Sequence, residues 1–226
     1  MLAWFHIQPY LQYFGLLYIQ KEINQLVHKR KIRTFMDFST LPLNSDKERN
    51  ILELGIGAGA NLDFYPSDQS FSLIGSDIHR IGEDAIRKKC IEKRIKLHSF
   101  LQLNADDLRA LKSESVSGVV ATLIMCSVPN VDKALSEIKR ILVPGGQYYF
   151  FDHVKEEDSI FRNFLQMLLH PLLRVLFFCN NRRKIQLHIL NAGFSHVDVE
   201  SFLISDKILY SPIASHIIGT ATKSSI

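Results

Sequence analysis

The chain of 226 residues has three cysteines, one tryptophan and no unbroken apolar run that comfortably spans a bilayer. Cys90, Cys126 and Cys179 are odd in number and far apart. They give no disulfide framework and fit a reducing compartment. No zinc-type spacing of Cys and His is present, so no metal is expected. Basic residues without aromatic interleaving or an RNA-binding signature argue against nucleic acid as a partner. There are no internal repeats and no low-complexity tract. The aromatic start, Met1 to Gln20, is interrupted by His6, Gln8, Pro9 and Gln12, which disfavours a spanning helix. It lacks a basic n-region and a small-residue cleavage site, so a cleaved signal peptide is not expected. Trp4, Phe5, Tyr10, Tyr13 and Tyr18 suit the headgroup zone of a membrane surface, while the same segment also fits a lid over a site.

What is present is an ordinary globular composition, with 46% hydrophobic and 22% charged residues, enough for a sizeable core. The net charge of +4 is concentrated in His28-Lys-Arg-Lys-Ile-Arg33 and Arg182-Arg-Lys184, read as anionic-lipid contacts or solvated faces. Residues 1–45 form an amphipathic amino-terminal segment, and a turn-rich stretch from Leu41 to Arg49 leads into a second unit, residues 46–226. Strand and helix patterns then alternate, predicting a parallel sheet with helices on both faces. Strands are expected at Asn50 to Leu54, Phe71 to Ser76, Leu97 to Leu103, Ser117 to Ile124 and Gln147 to Asp152. The last two, Val197 to Leu203 and His216 to Thr222, are expected to pair antiparallel. A helix is expected directly after the glycines, ending before Pro66. Others are expected at Gly82 to Arg94, Val131 to Ile141 and Lys184 to Ala192. Leu142 to Gly146 reads as a turn, and Phe161 to Phe178 as an apolar helix bent or broken at Pro171.

The chemistry concentrates in Asn50-Ile-Leu-Glu-Leu-Gly-Ile-Gly-Ala-Gly-Ala-Asn61 and in Asp77. A glycine-rich turn after a buried strand lets a ligand approach bare backbone at Gly55, Gly57 and Gly59. An acid at the end of the next strand can accept from both hydroxyls of a ribose. That spacing points to a nucleoside-containing cofactor.

The form Glu-x-Gly-x-Gly-x-Gly, opened by Glu53, resembles class I S-adenosylmethionine-dependent methyltransferases. The resemblance implies their Rossmann-like fold: a mostly parallel seven-stranded sheet with an antiparallel last strand. It implies S-adenosylmethionine as cofactor, with Glu53 at the methionine ammonium, Asp77 at the ribose and Ile78 on the adenine face. Asn104, Ala105 and Asp106 would serve the adenine edge, and Thr122 and Leu123 the methionine tail, with Asn61 completing the set. Asn61-Leu-Asp-Phe-Tyr-Pro66, Cys126-Ser-Val128 and Pro144-Gly-Gly-Gln-Tyr-Tyr-Phe-Phe-Asp-His-Val154 resemble the methyltransferase-like alkyl-thiol methyltransferases. That narrower similarity implies a small apolar or thiol acceptor. It also implies peripheral attachment to the cytosolic face of the endoplasmic reticulum or to lipid droplets, the alternative being a soluble cytoplasmic enzyme. His153 is the candidate for helping the acceptor thiol ionise, with Asp152 orienting it or binding the methionine tail; His170 and Asp63 are further candidates. Methyl transfer to oxygen, nitrogen or carbon of a lipid or quinone-like acceptor, and a non-catalytic membrane scaffold, are the alternatives.

Overall fold

All five side chains of Asn50–Leu54 are buried, and so are those of Val116–Ala121. Strands hidden on both faces belong at the centre of a parallel sheet, and the computed structural model places them there. It describes residues 21–35, 38–67, 70–205, 207 and 212–225. The strands are β1 (Asn50–Leu54), β2 (Ser72–Asp77), β3 (Lys96–Gln102), β4 (Val116–Thr122), β5 (Leu142–His153), β6 (His196–Leu203) and β7 (Ser215–Thr222). They form one sheet in the order β3-β2-β1-β4-β5-β7-β6. The first five are mutually parallel, and β7 runs antiparallel to both β5 and β6.

Period-two alternation sorts the side chains into two cores. Leu52, Val119, Ala121, Tyr148 and Phe150 face one, packed under α3 (Val131–Ile141) and α5 (Ile185–Asn191). Ile51, Val120 and Tyr149 face the other, with Ile86 and Cys90 of α2 (Glu83–Glu92). Helix α3 buries Val131, Ala134, Leu135, Ile138 and Ile141, an i, i+3, i+4, i+7 stripe. Each large side chain of that stripe contributes roughly 1.5–3 kcal/mol. Asn130 starts the helix by accepting from the Lys133 amide at 2.9 Å. Gly193, at φ 75°, follows the end of α5 in the left-handed conformation that favours glycine.

Three expectations are corrected. The helix after the glycines is absent; residues 57–64 form a run of turns. Gly57 and Gly59 sit at φ 52° and 69°, incompatible with a right-handed helix, and Gly59, Leu62 and Phe64 each bond the carbonyl three residues back. The stretch from Leu142 is not a separate turn. It is the irregular start of β5, where Leu142 opposes Val116 and the register then shifts until Gln147 opposes Gly118. Helix α4 (Ile160–Phe177) continues through Pro171 without a break.

The described part of the amino-terminal segment packs into the sheet. Residues 21–26 are helical and α1 spans His28–Phe35. Ile23 and Val27 lie against Phe151, Ile204 and Ile218, and Phe35 joins the α2-side core. The expected anchor or lid at residues 1–20 lies outside the described residues. Lys31 takes the next place in the Ile23, Val27, Phe35 stripe and is 2% exposed. Its ammonium donates to Asn24 Oδ1 at 2.8 Å and Asn61 Oδ1 at 2.7 Å. Asn61 Nδ2 donates in turn to Glu53 Oε1 at 2.8 Å, and Tyr65 donates to Glu53 Oε2 at 2.7 Å. The basic clusters are thus largely committed within the fold. Arg30 and Arg33 pair with Glu200, Arg182 with Asn163, Arg183 with the Met125 and Val128 carbonyls, and Lys184 with Glu157.

Burial pushes Glu53 up to about 7, against its bonds from Tyr65 and Asn61. It pulls Lys31 down to about 7, partly offset by the attraction of Glu53. The unfolded chain loses the Glu53 proton near 4.5 while the folded chain keeps it to about 7, so stability falls over that window. Between about 7 and 10.5 the unfolded chain holds the Lys31 proton that the folded chain has lost, so stability rises. A Glu53→Gln/Lys31→Met double variant should therefore unfold with a flatter pH profile, lacking the dip near neutrality. Thermal melts of both proteins between about pH 5 and 10 check this, and superimposable profiles would contradict it.

Candidate functional site

The strand order reverses direction of growth at β1, between β2 and β4, and ligands in open parallel sheets bind at the carboxyl ends of the strands beside such a point. A cavity of about 420 Å³ opens there, within the range of small-molecule sites. Its floor is the turn after β1. Gly57 stands at φ 52°, and a β-carbon placed on it would meet only the Gly55 carbonyl at 3.9 Å. The missing side chain therefore leaves open space at the cavity. Gly55 is close-packed instead, since its β-carbon would fall 2.3 Å from Ile124 Cδ1.

Asp77, at the end of β2, ties this turn down. Its Oδ2 accepts from the Gly57 amide at 3.0 Å, and its Oδ1 accepts from the His79 amide at 3.2 Å. An ionised carboxylate has about four lone-pair sites. Two amides leave roughly one on each oxygen, and Asp77 lines the cavity half-exposed. That is the acceptor set a ribose diol requires. Ile78 is 54% exposed beside it. Asn104 and Ala105 come from the end of β3, and Thr122 and Leu123 from the end of β4. Leu123 adopts φ 56°, strained for a branched side chain, and such strain gathers at sites. The far wall adds Ile124, Ser127, Val128 and Pro129 from the β4–α3 loop, with Phe177 and Phe178 from the end of α4. The apolar stretch Phe161 to Phe178 is expected from the sequence to roof an acceptor pocket or touch lipid, and its end does reach the cavity; the loop residues Val128 and Pro129 carry no local signal.

Eight of the predicted residues therefore share one wall system: Gly55, Gly57, Asp77, Ile78, Asn104, Ala105, Thr122 and Leu123. Six do not line it. Glu53 is buried beneath the turn with both carboxylate oxygens engaged by Asn61 and Tyr65, so it is not placed to meet a ligand ammonium. Asn61 holds the turn from below and donates to Thr122 Oγ1 at 2.9 Å, linking the buried network to the cavity wall. Gly59 serves packing, because a β-carbon would fall 2.7 Å from Ile86 and 2.8 Å from Leu62. Asp106 is half-buried and off the cavity. Of the further candidates, His170 contacts Asn181 and Asp63 pairs with Lys89 and Lys93.

The two expected catalytic residues are also behind the wall. Asp152 accepts from the Ile124, Met125 and Cys126 amides at 3.3, 2.9 and 3.4 Å, fixing the β4–α3 loop. It is a positioning residue. Burial lifts its carboxyl above the ordinary range, opposed by His153 and by those amides. His153 is 8% exposed, with Nε2 2.7 Å from Cys179 Sγ. Burial works to lower its pKa, but Cys126 and Asp152 outweigh that and raise it. The fold also converges Cys126, His153 and Cys179, with ligand atoms within 4.8 Å of one another, a cluster invisible in the sequence spacing.

Comparison with known proteins agrees with this geometry. Residues 52–150 match the family model of a methyltransferase domain. Human thiol S-methyltransferase TMT1A is 33% identical over 176 residues, covering 77% of this chain and 70% of that protein. Human thiol S-methyltransferase TMT1B is 30% identical over 202 residues, covering 88% and 81%. Among solved structures, an S-adenosylmethionine-dependent methyltransferase of Thermotoga maritima superimposes with a TM-score of 0.61 at 17% identity, covering 98% of this chain and 99% of that one. That likeness shows the fold. The cofactor is S-adenosylmethionine, and the free lone pairs of Asp77 and the open face of Gly57 fit its adenosine.

Two substitutions test the assignment. Asp77→Ala removes the ribose acceptors and leaves the Gly57 amide without its partner, which should weaken S-adenosylmethionine by about 1–3 kcal/mol. Gly57→Leu should fill the open space and lower affinity at least about tenfold, beyond the roughly 1–2 kcal/mol strain of a left-handed leucine. Calorimetric titration reads both, with melting curves as the folding control. Unchanged affinity in either folded variant would remove that residue from the site.

Proposed function

The chain belongs to the thiol S-methyltransferase family, and on that premise we propose that it methylates the sulfur of a small apolar thiol seated against the β4–α3 loop and the end of α4. The observation that carries this reading is the cavity's asymmetry. Its β2–β3 side sets Asp77 and Asn104 among Ile78, Ile81 and Leu103, while its β4 side, apart from Thr122 and Ser127, is walled by Leu123, Ile124, Val128, Phe177 and Phe178. An apolar acceptor gains roughly 0.8 kcal/mol per methylene buried there, and the phenylalanines keep water from the reacting atoms.

When bound, S-adenosylmethionine supplies an electrophilic methyl group on a sulfonium. The chain supplies placement. Asp77 holds the ribose and the Gly57 turn admits the adenosine to bare backbone. Thr122 and Leu123 border the path toward the acceptor, and Asp152 fixes the loop carrying the apolar wall. Among the described residues that line the cavity, Asp77 and His79 are the titratable ones, and both sit on the ribose side. Among the described residues the acceptor side presents Ser127 but no base, so the thiol ionises by its own acidity, for which a free cysteine thiol of pKa about 8.5 is the reference.

A second observation supports action at a lipid surface. Ile160, Phe164, Leu168 and Leu172 recur every four residues on α4 and are 92, 52, 60 and 53% exposed. A stripe of that kind, on a helix whose buried side is limited to Gln166, suits the headgroup–acyl boundary of a phospholipid bilayer. Among the described residues no helix is long and apolar enough to cross a membrane, so the contact would lie on the surface. The cytosolic face of the endoplasmic reticulum or a lipid droplet fits this reading, and methyl transfer to a lipid hydroxyl or amine is the competing chemistry.

A labelled-methyl assay over apolar thiols, phenols, amines and lipids tests the acceptor class. Alkyl thiols should be methylated, with kcat/KM rising about tenfold per pH unit below the acceptor's own pKa and levelling above it. A more acidic aryl thiol should move that plateau down. Transfer to oxygen or nitrogen acceptors alone, or a plateau fixed whatever the thiol, would refute the proposal. For the surface contact, a Phe164→Glu/Leu168→Glu variant should float less with phosphatidylcholine–phosphatidylserine vesicles than the parent chain. Equal flotation would reject α4 as the contact.

A further inference from the structure

Cys126, His153 and Cys179 lie in three separate elements: the β4–α3 loop, the last position of β5 and the segment just after α4. They are 2, 8 and 6% exposed, and their sulfur and ring-nitrogen atoms lie within 4.8 Å of one another. Contacts outside the three side chains also hold these segments together. The Asn180 amide donates to the Cys126 carbonyl at 2.9 Å, laying the Cys179 segment on the loop. Arg183 Nη1 donates to the Met125 carbonyl at 2.7 Å and also reaches the Val128 carbonyl. Asp152 clamps the Cys126 amide from the other side.

We propose that these three side chains form a Cys2His site for Zn2+, pinning the acceptor wall of the cavity from behind. Two thiolates and one imidazole are a preferred donor set for this ion. On binding, Cys126 and Cys179 each release a thiol proton to solvent. His153 coordinates through Nε2 as the neutral ring, with its proton on Nδ1. Two thiolates cancel the charge of the cation, so the filled site is neutral, as a location this buried requires. The geometry needs little change. Ligands at about 2.0–2.3 Å from a tetrahedral zinc stand roughly 3.5 Å apart, so the 2.7 Å gap between His153 Nε2 and Cys179 Sγ must open by under about 1 Å. Asp152 is not the fourth ligand, because three amides already hold its carboxylate. His216 is outside the cluster, its ring centroid 6.0 Å from that of His153. One position is therefore left for water or another small donor. The neighbours Ser127 and Phe178 line the cavity, and Ser127 Oγ lies 3.5 Å from Cys126 Sγ. The ion would thus fix the wall against which the acceptor packs, whatever the acceptor proves to be.

The test uses the full chain, purified under reducing conditions, loaded with Zn2+ or Co2+ and desalted. About one metal per chain is expected by elemental analysis. The cobalt form should show thiolate-to-metal charge transfer and tetrahedral d–d bands. Cys126→Ser and Cys179→Ser should each retain at least about tenfold less metal, while Cys90→Ser, altering the buried cysteine outside the cluster, retains it fully. The unmutated chain keeps the test decisive if a variant fails to fold. Less than about a tenth of an equivalent bound, with no charge-transfer band, would overturn the site. None of these readouts depends on activity, so the site can fail while thiol methylation stands, and the reverse.

Discussion

The bond from the Gly57 amide to Asp77 Oδ2 holds the site in register. It joins the turn after β1 to the end of β2 and so fixes together the two groups proposed to meet an adenosine. A left-handed turn of bare backbone does not hold itself; its three glycines have more conformational freedom to lose than any other residue. Asp77 restrains it from the cavity side. From below, the Ile56 amide bonds the Ser76 carbonyl at 2.9 Å, and Asn61 bridges Lys31, Glu53 and Thr122. The charged network under the turn is therefore scaffolding. Its isolated charges are expensive to bury, which is why Lys31 and Glu53 are both driven toward neutrality. The amino-terminal helix that contributes Lys31 is consequently part of the methyltransferase unit in its described portion.

Much of this was legible in the sequence, for a physical reason. Local patterns report local backbone. The all-buried Asn50–Leu54, the positive-φ glycines and an acid one strand later define the cofactor side of the cavity, and all lie within about thirty residues. The parallel pairing of the first five strands follows from their alternation with helices. The same rule misled at the turn itself, where a generic strand–turn–helix was expected and glycines at 57 and 59 forbid the helix. Glu53 turns its carboxylate into the buried network, which the motif does not show, because it fixes where the residue stands on its strand but not which way its carboxylate turns. Lys31 was readable in principle, since it occupies the i+8 place in a stripe begun by Ile23 and Val27. Its membership in a run of five basic or histidine residues hid that.

The acceptor side was less legible because it is assembled from distant pieces. Ser127 and Val128 reach it through a loop held by Asp152, and Phe177 and Phe178 through the last turn of α4, which ends at a left-handed Phe178. His153 and Asp152 looked catalytic because they end a strand at the ligand-binding edge. The structure turns them away from the cavity and into the support of its wall. This leaves, among the described residues, a division of labour between a cofactor side that carries Asp77 and Asn104 and a largely apolar acceptor side that presents no base. Such a site suits an acceptor that brings its own acidity, as a thiol does, better than an alcohol or amide nitrogen. The same support holds the sulfur and imidazole donors that converge behind the wall.

The central claim is that the Gly57 turn and Asp77 together receive the adenosine of S-adenosylmethionine. The most direct measurement is a crystal structure of the full chain grown with S-adenosylhomocysteine. The account predicts density with both ribose hydroxyls on Asp77, the adenine beside Ile78 and Ala105, and the thioether sulfur directed toward Leu123 and Phe177. A filled crystal in which Asp77 touches no ribose, or a cavity left empty at saturating ligand, would contradict it.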